Sequence, residues 1–255
     1  MHLQNIYIVF MFLLGACIGS FLNVCIYRIP RKESILLGAS HCPMCNNKIK
    51  YYDLIPIISL IFLKDKCRYC GRKIPLRYFF IELFTGVFFT YISLKYKFTI
   101  DTLRFCMLSM FLIVIGIIDY DTTDVYSNTI IVGIICGTIF LIANYYYGNE
   151  FWSYIYGAIL GGSFLSFIIL ITNGIGMGWG DAEACALCGL YLGIRKTLLM
   201  IVIAFTIGSV IGSILLLINE KYKKTMIPFV PFLSLASFFT IIYGDKIIGW
   251  YMLYM

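Results

Sequence analysis

Two Cys-x-x-Cys pairs in one basic stretch of this sequence have the spacing of a metal site. Cys42 pairs with Cys45, Cys67 pairs with Cys70, and 21 residues separate the two pairs. That interval is one residue longer than the usual zinc pattern, which has about 15–20 residues between the pairs. Four thiolates around a tetrahedral Zn²⁺ form a closed structural site, so we predict one Zn²⁺ held by these cysteines. The alternative is that the thiols are free in a loop that other contacts order.

Asp119 and Asp181 are the candidates for acid–base chemistry. Asp119 directly follows the apolar run FLIVIGII, and Asp181 follows the glycine-rich GMGWG. Two carboxyl groups that meet in a partly desolvated site cannot both ionise cheaply, so one pKa rises and the pair shares a proton. The charged member then activates a water, and the protonated member polarises a carbonyl group. This is the chemistry of an aspartic peptidase, which needs no nucleophilic serine or cysteine.

Two glycines stand close before Asp181. Gly178 and Gly180 can take positive φ and let backbone approach closely, so we predict that they orient Asp181 and leave room for an extended peptide. An aspartate at the end of a membrane helix is also consistent with an N-cap or an interface residue.

Three other acids are weaker candidates. Asp121 and Asp124 lie in the turn after Asp119, where aspartate is common, so we predict that both are solvated turn residues. Physical chemistry alone does not select Asp119 over Asp124. Glu82 lies inside a predicted membrane span, where an acid is costly and is therefore a candidate functional residue. A capping role near the interface is the alternative for Glu82.

The composition indicates an integral membrane protein. Of the 255 residues, 61% are hydrophobic and 13% are charged, and the mean hydropathy is +0.89. A soluble domain has about a quarter charged residues. We predict an all-α polytopic membrane protein of about eight transmembrane helices, with a small cytoplasmic, zinc-ribbon-like loop domain. The eight apolar segments are residues 6–27, 78–94, 103–118, 129–147, 151–172, 182–194, 197–218 and 227–244.

The sixth segment is too short to cross a bilayer. Its 13 residues rise only about 20 Å as a helix, whereas the hydrocarbon core is about 30 Å thick. It is therefore either a re-entrant element or the start of one long bent helix. Asp181, at its start, is predicted to lie recessed below the cytoplasmic surface, where the helix N-terminus favours the ionised carboxylate.

The distribution of basic residues sets the predicted orientation. Eleven of the 20 Lys and Arg residues lie between Arg28 and Arg77, which indicates a cytoplasmic loop under the positive-inside rule. This clustering in one loop argues against a nucleic-acid-binding role, which the net charge of +7 alone would suggest. Eight crossings place both termini outside and three further cations inside: Lys221, Lys223 and Lys224.

The turns that contain Asp119 and Asp181 both face the cytoplasm in this topology. We predict three parts of the chain: a first transmembrane helix over residues 1–27, a basic four-cysteine loop domain over residues 28–77, and a transmembrane peptidase bundle over residues 78–255.

The sequence resembles the type IV prepilin peptidases, which are bilobal membrane aspartic peptidases with a Gly-x-Gly-Asp motif. The resemblance covers almost the whole chain. It rests on GSFLNVCIYRIP, the paired cysteines, RYFFIELF with Glu82, IDYDTTDVYSN, GMGWGD and IPFVPFL. Together these segments are highly specific for the family, and singly the four cysteines and the Gly-x-Gly-Asp motif are the most informative.

The resemblance implies that Asp119 and Asp181 are the catalytic aspartates. It implies removal of short basic leader peptides from prepilins or pseudopilins at the cytoplasmic face of the bacterial cytoplasmic membrane, typically after a glycine. Family members with the cysteine loop also N-methylate the new terminus with S-adenosylmethionine, so the resemblance implies that cofactor too. The sequence has no glycine-rich Rossmann fingerprint, so a site for this donor would be unconventional.

Four residues depart from the pattern of the family. Tyr126 and Ser127 stand where the first aspartate motif usually ends in Pro-Asp. Glu183 stands two residues after Asp181, where a lysine is common, so an anion replaces a cation. Val230 replaces a glycine between the two prolines of IPFVPFL. None of these changes removes a catalytic carboxylate.

Two other classes of function are consistent with these residues. A proton- or ion-coupled transporter would use paired intramembrane acids as an ion path, and it would place them deep in the membrane rather than at cytoplasmic turns. A non-catalytic scaffold whose zinc loop docks a partner would tolerate loss of either aspartate. Cleavage of a co-expressed prepilin by the wild type and by Asp181→Ala separates both classes from a peptidase.

Overall fold

The structure, a computed structural model, describes residues 2–35, 38–146, 151–174, 176–218 and 227–254. Most of these residues are helical, and the isolated β-bridges His41–Lys48 and Lys66–Lys73 lie in the cysteine loop. A 3₁₀ turn covers Tyr51–Leu54. The α-helices of the described residues are α1 (His2–Arg28), α2 (Ile58–Phe62), α3 (Arg77–Tyr96), α4 (Ile100–Thr122), α5 (Ser127–Tyr146), α6 (Phe151–Ile171), α7 (Trp179–Leu192), α8 (Ile194–Ile218) and α9 (Val230–Leu253).

Seven helices in the described ranges are long and apolar enough to span a membrane, namely α1, α3, α4, α5, α6, α8 and α9. The prediction of an all-α polytopic membrane protein is therefore confirmed. The sixth predicted segment forms α7, which has 14 residues and rises about 21 Å. Only Gly193, at φ 77°, stands between α7 and α8. The chain reverses direction at this glycine, because the Ser237 hydroxyl of α9 lies against the sulfur of Cys188 on α7 and that of Met200 on α8. The two helices are therefore antiparallel, which fits a re-entrant element and not one long bent helix, and α7 is too short to be among the spans.

The outward faces of the long helices are apolar. On α8, for example, Val202 and Val210 are more than half exposed. Contiguous apolar surface of this kind is unfavourable in water and suits contact with lipid. Three lysines of the predicted inside loop, Lys221, Lys223 and Lys224, lie outside the described residues.

The chain divides into two compact units, Met1–Val114 and Ile115–Met255, called here the N-terminal unit and the C-terminal unit. The boundary falls inside α4. The N-terminal unit contains α1, the cysteine loop and α3, and the C-terminal unit contains α5 to α9. Glu82 belongs to the first unit, and Asp119 and Asp181 belong to the second.

In the N-terminal unit, α1 and α3 approach each other closely through glycines. A Cβ atom on Gly15 would lie 2.7 Å from the carbonyl oxygen of Thr85, and one on Gly19 would lie 2.8 Å from the Cα atom of Glu82. Small residues are what allow two membrane helices to pack at this distance. The α1 backbone therefore lies directly against Glu82.

The short helix α7 forms the core of the C-terminal unit. Ten of its 14 residues are buried. A Cβ atom on Gly157 of α6 would lie 2.6 Å from the carbonyl oxygen of Gly189 on α7, so glycine is needed at that crossing. The Tyr191 hydroxyl donates a hydrogen bond to the Gly133 carbonyl oxygen of α5 at 2.9 Å. From Ala184 to Leu192 this helix is apolar on all sides, and such a segment is stable only when it is surrounded.

Candidate active site and metal centre

Asp119 lies in the last turn of α4 and is 3% exposed. Its Oδ2 atom accepts a hydrogen bond from the backbone N–H of Val230 at 3.1 Å. Val230 is the first residue of α9, and the first N–H groups of a helix have no partner within that helix. The positive end of the α9 dipole therefore stabilises a charge on Asp119 that the C-terminal end of α4 disfavours.

Gly116 and Pro231 bring the start of α9 to Asp119. A Cβ atom on Gly116, one turn before Asp119, would lie 2.8 Å from the Ser234 hydroxyl oxygen, so glycine permits the close approach of α9 to α4. Pro231 suits the first turn of α9 because its fixed φ is helical and its missing N–H is not needed there. The N–H of the preceding Val230 remains free to donate to the carboxylate.

Asp181 lies in the first turn of α7 and is 7% exposed. Its Oδ2 atom accepts the Gly178 N–H at 3.0 Å, and its own N–H donates to the Gly178 carbonyl oxygen at 3.1 Å. Burial raises the pKa of Asp181 to about 6, the Gly178 N–H opposes this shift, and the Asp119 carboxylate adds to it. The two aspartates are thus close enough for the charge of one to act on the other.

Val125, from the turn after Asp119, packs on the backbone of Gly180 at the start of α7. A Cβ atom on Gly180 would overlap Val125. A Cβ atom on Gly178 would lie 4.0 Å from Asp181 Oδ2, which is an ordinary contact. Of the two predicted glycines, Gly180 is therefore the one that close packing requires, and Gly178 contributes its N–H.

The register of α6 against α7 gives the depth of Asp181. The two helices are antiparallel, and Gly161 of α6 faces Cys185 of α7. One turn further along, Asp181 is level with Leu165, whereas α6 continues to Ile171. The residues in between rise about 9 Å. Asp181 therefore lies about 9 Å below the end of α6. That it is recessed below the cytoplasmic surface stays a prediction.

The remaining acids of the two motifs are exposed, unlike this pair, although Asp124 is close enough for its charge to act on Asp119. Asp121, Asp124 and Glu183 are exposed. The backbone N–H of Asp124 donates to the Thr122 hydroxyl at 3.3 Å, which is a local turn contact. Glu183 is exposed while Asp181 is buried, so the anion that stands in place of a lysine projects away from the buried carboxyls.

The contact of Val230 with Asp119 is one that the sequence analysis missed. Because Val230 contributes its backbone N–H, the change from glycine to valine retains the donor. The available signal was Pro231, which favours a helix start and hence unpaired N–H groups. The other departures, Tyr126 and Ser127, lie at the start of α5, with Ser127 as its first residue.

The four cysteines come together in the N-terminal unit, as their spacing predicts. Their Sγ atoms all lie within 4.8 Å of one another, and those of Cys42 and Cys70 are 3.9 Å apart. Zn–S bonds of about 2.3 Å in a tetrahedron place the sulfurs about 3.8 Å apart. The cluster therefore fits a metal ion of this size. It is the one such group of His, Cys and acidic side chains in the part of the chain that the structure describes.

The two Cys-x-x-Cys segments have the same local structure. In each, the N–H of the first cysteine donates to the carbonyl oxygen five residues later, at 3.0 and 2.9 Å. The residue after the second cysteine has positive φ in both, 58° at Asn46 and 68° at Gly71, and these residue types tolerate it well. The N–H groups of Cys70 and Tyr69 lower the pKa of Cys67 to about 7, which favours the thiolate that a metal binds.

Glu82 lies buried in α3 of the N-terminal unit, where its Oε2 atom accepts the Ile57 backbone N–H at 2.8 Å. This contact is with the cysteine loop and not with the first turn of α3. Glu82 therefore does not cap its own helix.

Two family profiles match the chain. That of the Bacterial Peptidase A24 N-terminal domain matches residues 13–96, and that of the Type IV leader peptidase family matches residues 106–213. The first range contains the cysteine cluster and Glu82, and the second contains Asp119 and Asp181.

Several relatives are similar over nearly the whole chain. The Prepilin leader peptidase/N-methyltransferase of Legionella pneumophila is 32% identical, over 95% of this chain and 93% of its own length. Proteins of the same name are 28% identical in Stutzerimonas stutzeri, over 94% and 91%, and 29% identical in Bacillus subtilis, over 95% and 96%. No solved structure matches the chain.

Proposed function

Since the chain belongs to the type IV leader peptidase family, we propose that it is a membrane aspartic endopeptidase that cleaves the leader peptide of type IV prepilin-like proteins. We further propose that it N-methylates the new terminus, as the names of its relatives indicate. The observation that carries the peptidase proposal is the buried pair, Asp119 and Asp181, in which each carboxylate meets the start of a helix.

Two carboxyl groups with one proton between them supply both halves of peptide hydrolysis. Asp181 acts as the base, because the first turn of α7 favours its ionised form. Asp119 retains the proton, because the C-terminal end of α4 disfavours a second charge next to Asp181. The ionised carboxylate takes a proton from water, whose oxygen attacks the carbonyl carbon of the scissile bond. The protonated Asp119 carboxyl donates its proton to the carbonyl oxygen, which gives a tetrahedral intermediate. When this intermediate collapses, the C–N bond breaks, the leaving amine takes the proton that Asp181 had accepted from water, and the hydroxyl oxygen returns a proton to Asp119.

The N–H groups at these two carboxylates have a second role in the scheme. They hold the Asp119 and Asp181 oxygens in place, and no lysine or arginine of the described residues forms an ion pair with either aspartate. Each carboxyl therefore remains able to exchange a proton. An ion pair would fix one carboxylate in its charged form and remove it from acid–base chemistry.

The cysteine cluster holds one structural Zn²⁺ in this proposal. Four thiolate ligands leave no open position for a metal-bound water, so cleavage involves no metal step. S-adenosylmethionine supplies a methyl group on a positively charged sulfur. The active site faces the cytoplasm with both termini outside, and the peptidase bundle lies within residues 78–255.

Mass spectrometry of a co-expressed prepilin tests the proposal directly. With the wild-type protein, the processed pilin should lack its leader and carry one additional methyl group at its N-terminus. With Asp181→Ala, the full-length prepilin should remain. An uncleaved prepilin in the presence of folded wild-type protein would contradict the peptidase function. Neither the described residues nor the relatives support the transporter alternative.

A further inference from the structure

A cavity of about 340 Å³ lies within the N-terminal unit. α1, α3 and the cysteine loop with its short helix α2 form its walls. Sites for small molecules have volumes of about 300–1,000 Å³, mostly apolar walls and a few convergent polar groups. This cavity has that character, since several aliphatic side chains and the rings of Tyr27 and Tyr78 line it together with polar groups. Its polar and charged lining includes Asn23, the acids Asp53 and Glu82, and the cations Arg28, Arg68, Arg72 and Lys73. None of these residues takes part in the peptidase scheme.

The two carboxylates of the cavity differ in how their charge is balanced. Asp53 accepts two hydrogen bonds from the Arg68 guanidinium, at 2.6 and 2.9 Å, so its charge is paired. Glu82, 9% exposed, accepts the N–H of Ile57 and a hydrogen bond from the Ser20 side chain. Within the described residues Glu82 has no cationic partner. The cations of the cavity wall form no ion pair with Glu82 among the described residues. Because a buried carboxylate is stabilised by a nearby cation, the part of the cavity next to Glu82 favours a ligand group with positive charge.

The contact between Glu82 and Ile57 also shapes the cavity. Ile57 has φ 64°, a conformation that a β-branched residue rarely adopts. Its N–H is held by Glu82, and α2 begins at the next residue, so that Ser59 and Leu60 line the cavity. Strained backbone that is held by a buried side chain is typical of ligand sites. Glu82 thus lines the cavity and fixes one of its walls.

We propose that this cavity binds S-adenosylmethionine, with Glu82 as the partner of the sulfonium charge. The proposal rests on the methyltransferase half of the proposed function. The donor combines a fixed positive charge with a flat heterocycle. Glu82 provides the negative charge, and the rings of Tyr27 and Tyr78 provide aromatic surface, which favours both cations and flat rings.

The position of the cysteine cluster supports this assignment. Cys42 and Cys67 line the same cavity, so a metal held by the cluster orders one of its walls. A donor site built from two membrane helices and a metal-ordered loop needs no glycine-rich fingerprint. This explains how the methyl donor is bound although the sequence contains no Rossmann motif.

Calorimetric titration of the full-length, metal-loaded protein in detergent tests the proposal with two ligands. S-adenosylmethionine carries the sulfonium charge, and S-adenosylhomocysteine lacks it. We expect Glu82→Gln to weaken binding of S-adenosylmethionine by about tenfold or more and that of S-adenosylhomocysteine by less than about threefold, because the variant removes one partner of a buried charge pair. The glutamine retains an oxygen that accepts the Ile57 N–H, so the cavity wall should persist.

Glu33→Gln is the matched control, because Glu33 is an exposed acid of the same loop that does not line the cavity. It should bind both ligands as the wild type does. Metal content and elution volume establish that Glu82→Gln is folded. If that variant is misfolded, photolabelling of the wild type with radioactive S-adenosylmethionine decides the question, and label should appear on the peptides that contain Tyr27 or Tyr78.

Three results would overturn the proposal: wild-type protein that cleaves prepilin but binds no donor, folded Glu82→Gln that binds the donor as tightly as the wild type, or label confined to the C-terminal unit. Cleavage is measured in the same preparations. A failure of the donor site is therefore distinguishable from a failure of the peptidase.

Discussion

Asp119 and Asp181 in the C-terminal unit and Glu82 in the N-terminal unit are all buried, yet their surroundings differ. Each aspartate accepts an N–H from the start of a helix and has the other aspartate as a neighbour. Glu82 accepts an N–H from Ile57 in a strained loop and has no acidic neighbour among its contacts. Helix ends and mutual repulsion suit a pair that exchanges one proton. A solitary buried charge suits the binding of a cation. Both sites are buried, so burial does not distinguish them. They differ in what balances the carboxylate charge, which is helix-start N–H groups at the aspartates and, in our proposal, a ligand cation at Glu82.

Neutralising one aspartate at a time should break the peptidase and leave the cavity intact. Asp119→Asn and Asp181→Asn should each lower the rate of leader cleavage by about 10²–10⁴-fold, because acid–base catalysis needs both carboxyls. Both variants should still bind S-adenosylmethionine. The measurement is cleavage of a purified prepilin on gels. Asp124→Asn is the control and should cleave at close to the wild-type rate. If Asp124→Asn is inactive and Asp119→Asn is active, the catalytic partner of Asp181 is Asp124 and not Asp119.

Gly180→Ala tests whether the packing of Gly180 on Val125 positions Asp181, because it changes this contact and leaves both carboxyl groups in place. The new Cβ atom overlaps Val125, so the turn after Asp119 must shift, and a displacement of about 1 Å costs about 10²-fold in rate. Gly178→Ala has room for its Cβ atom and should remain within about threefold of the wild type. Addition of Val125→Ala should restore part of the activity of Gly180→Ala. A rate unchanged by Gly180→Ala would show that this contact does not position Asp181.

Loss of the metal should affect the N-terminal unit first. Elemental analysis of the wild type should find about one Zn²⁺ per chain, and Cys67→Ser should lower this severalfold together with protein yield. The folded fraction of Cys67→Ser should bind the methyl donor weakly while it still cleaves prepilin. Cys17→Ser, an exposed cysteine of α1, should match the wild type. A folded wild-type protein without metal would refute the site.

The smallest expected effect is on stability. Burial raises the pKa of Asp181 from 3.8 to about 6, so the folded protein binds this proton more tightly than the unfolded chain does. The contribution of Asp181 to the free energy of unfolding is therefore greatest below about pH 4, and it is lost as the pH rises through about 6. Asp181→Asn does not titrate and retains an oxygen for the Gly178 N–H. It should be more stable than the wild type by about 1–3 kcal/mol at pH 7.5 and equal to it at pH 4. Thermal unfolding across this range measures the difference, and an advantage that does not depend on pH would contradict the role of burial.

Local pattern was sufficient to predict the helices, the cysteine cluster and the short length of α7. Rise per residue is fixed, so 13 apolar residues predict a helix that does not span. Cys-x-x-Cys spacing fixes which sulfurs can meet, and the structure brings the four together. That Asp119 and Asp181 are the catalytic residues stays a prediction.

The sequence pattern did not predict contacts between segments that are distant along the chain. The Val230 N–H meets Asp119 across 111 positions, and no periodicity reports such a pairing. The strained φ of Ile57 was equally hidden, because a β-branched residue avoids that conformation unless tertiary contacts impose it. The exposure of Glu183 depends on how α7 is rotated in its bundle, which a spacing of two residues from Asp181 does not fix.

In the proposed mechanism, the depth of Asp181 sets a length requirement for substrates. An extended peptide advances about 3.3 Å per residue, so about three residues cover the distance from the end of α6 to this carboxylate. A helical substrate is about 10–12 Å wide and would need a far broader opening than a single extended strand does. A cleavable protein must therefore offer an unwound run of about three residues on each side of its scissile bond. A folded helix that carries the same residues at its cleavage site would be spared.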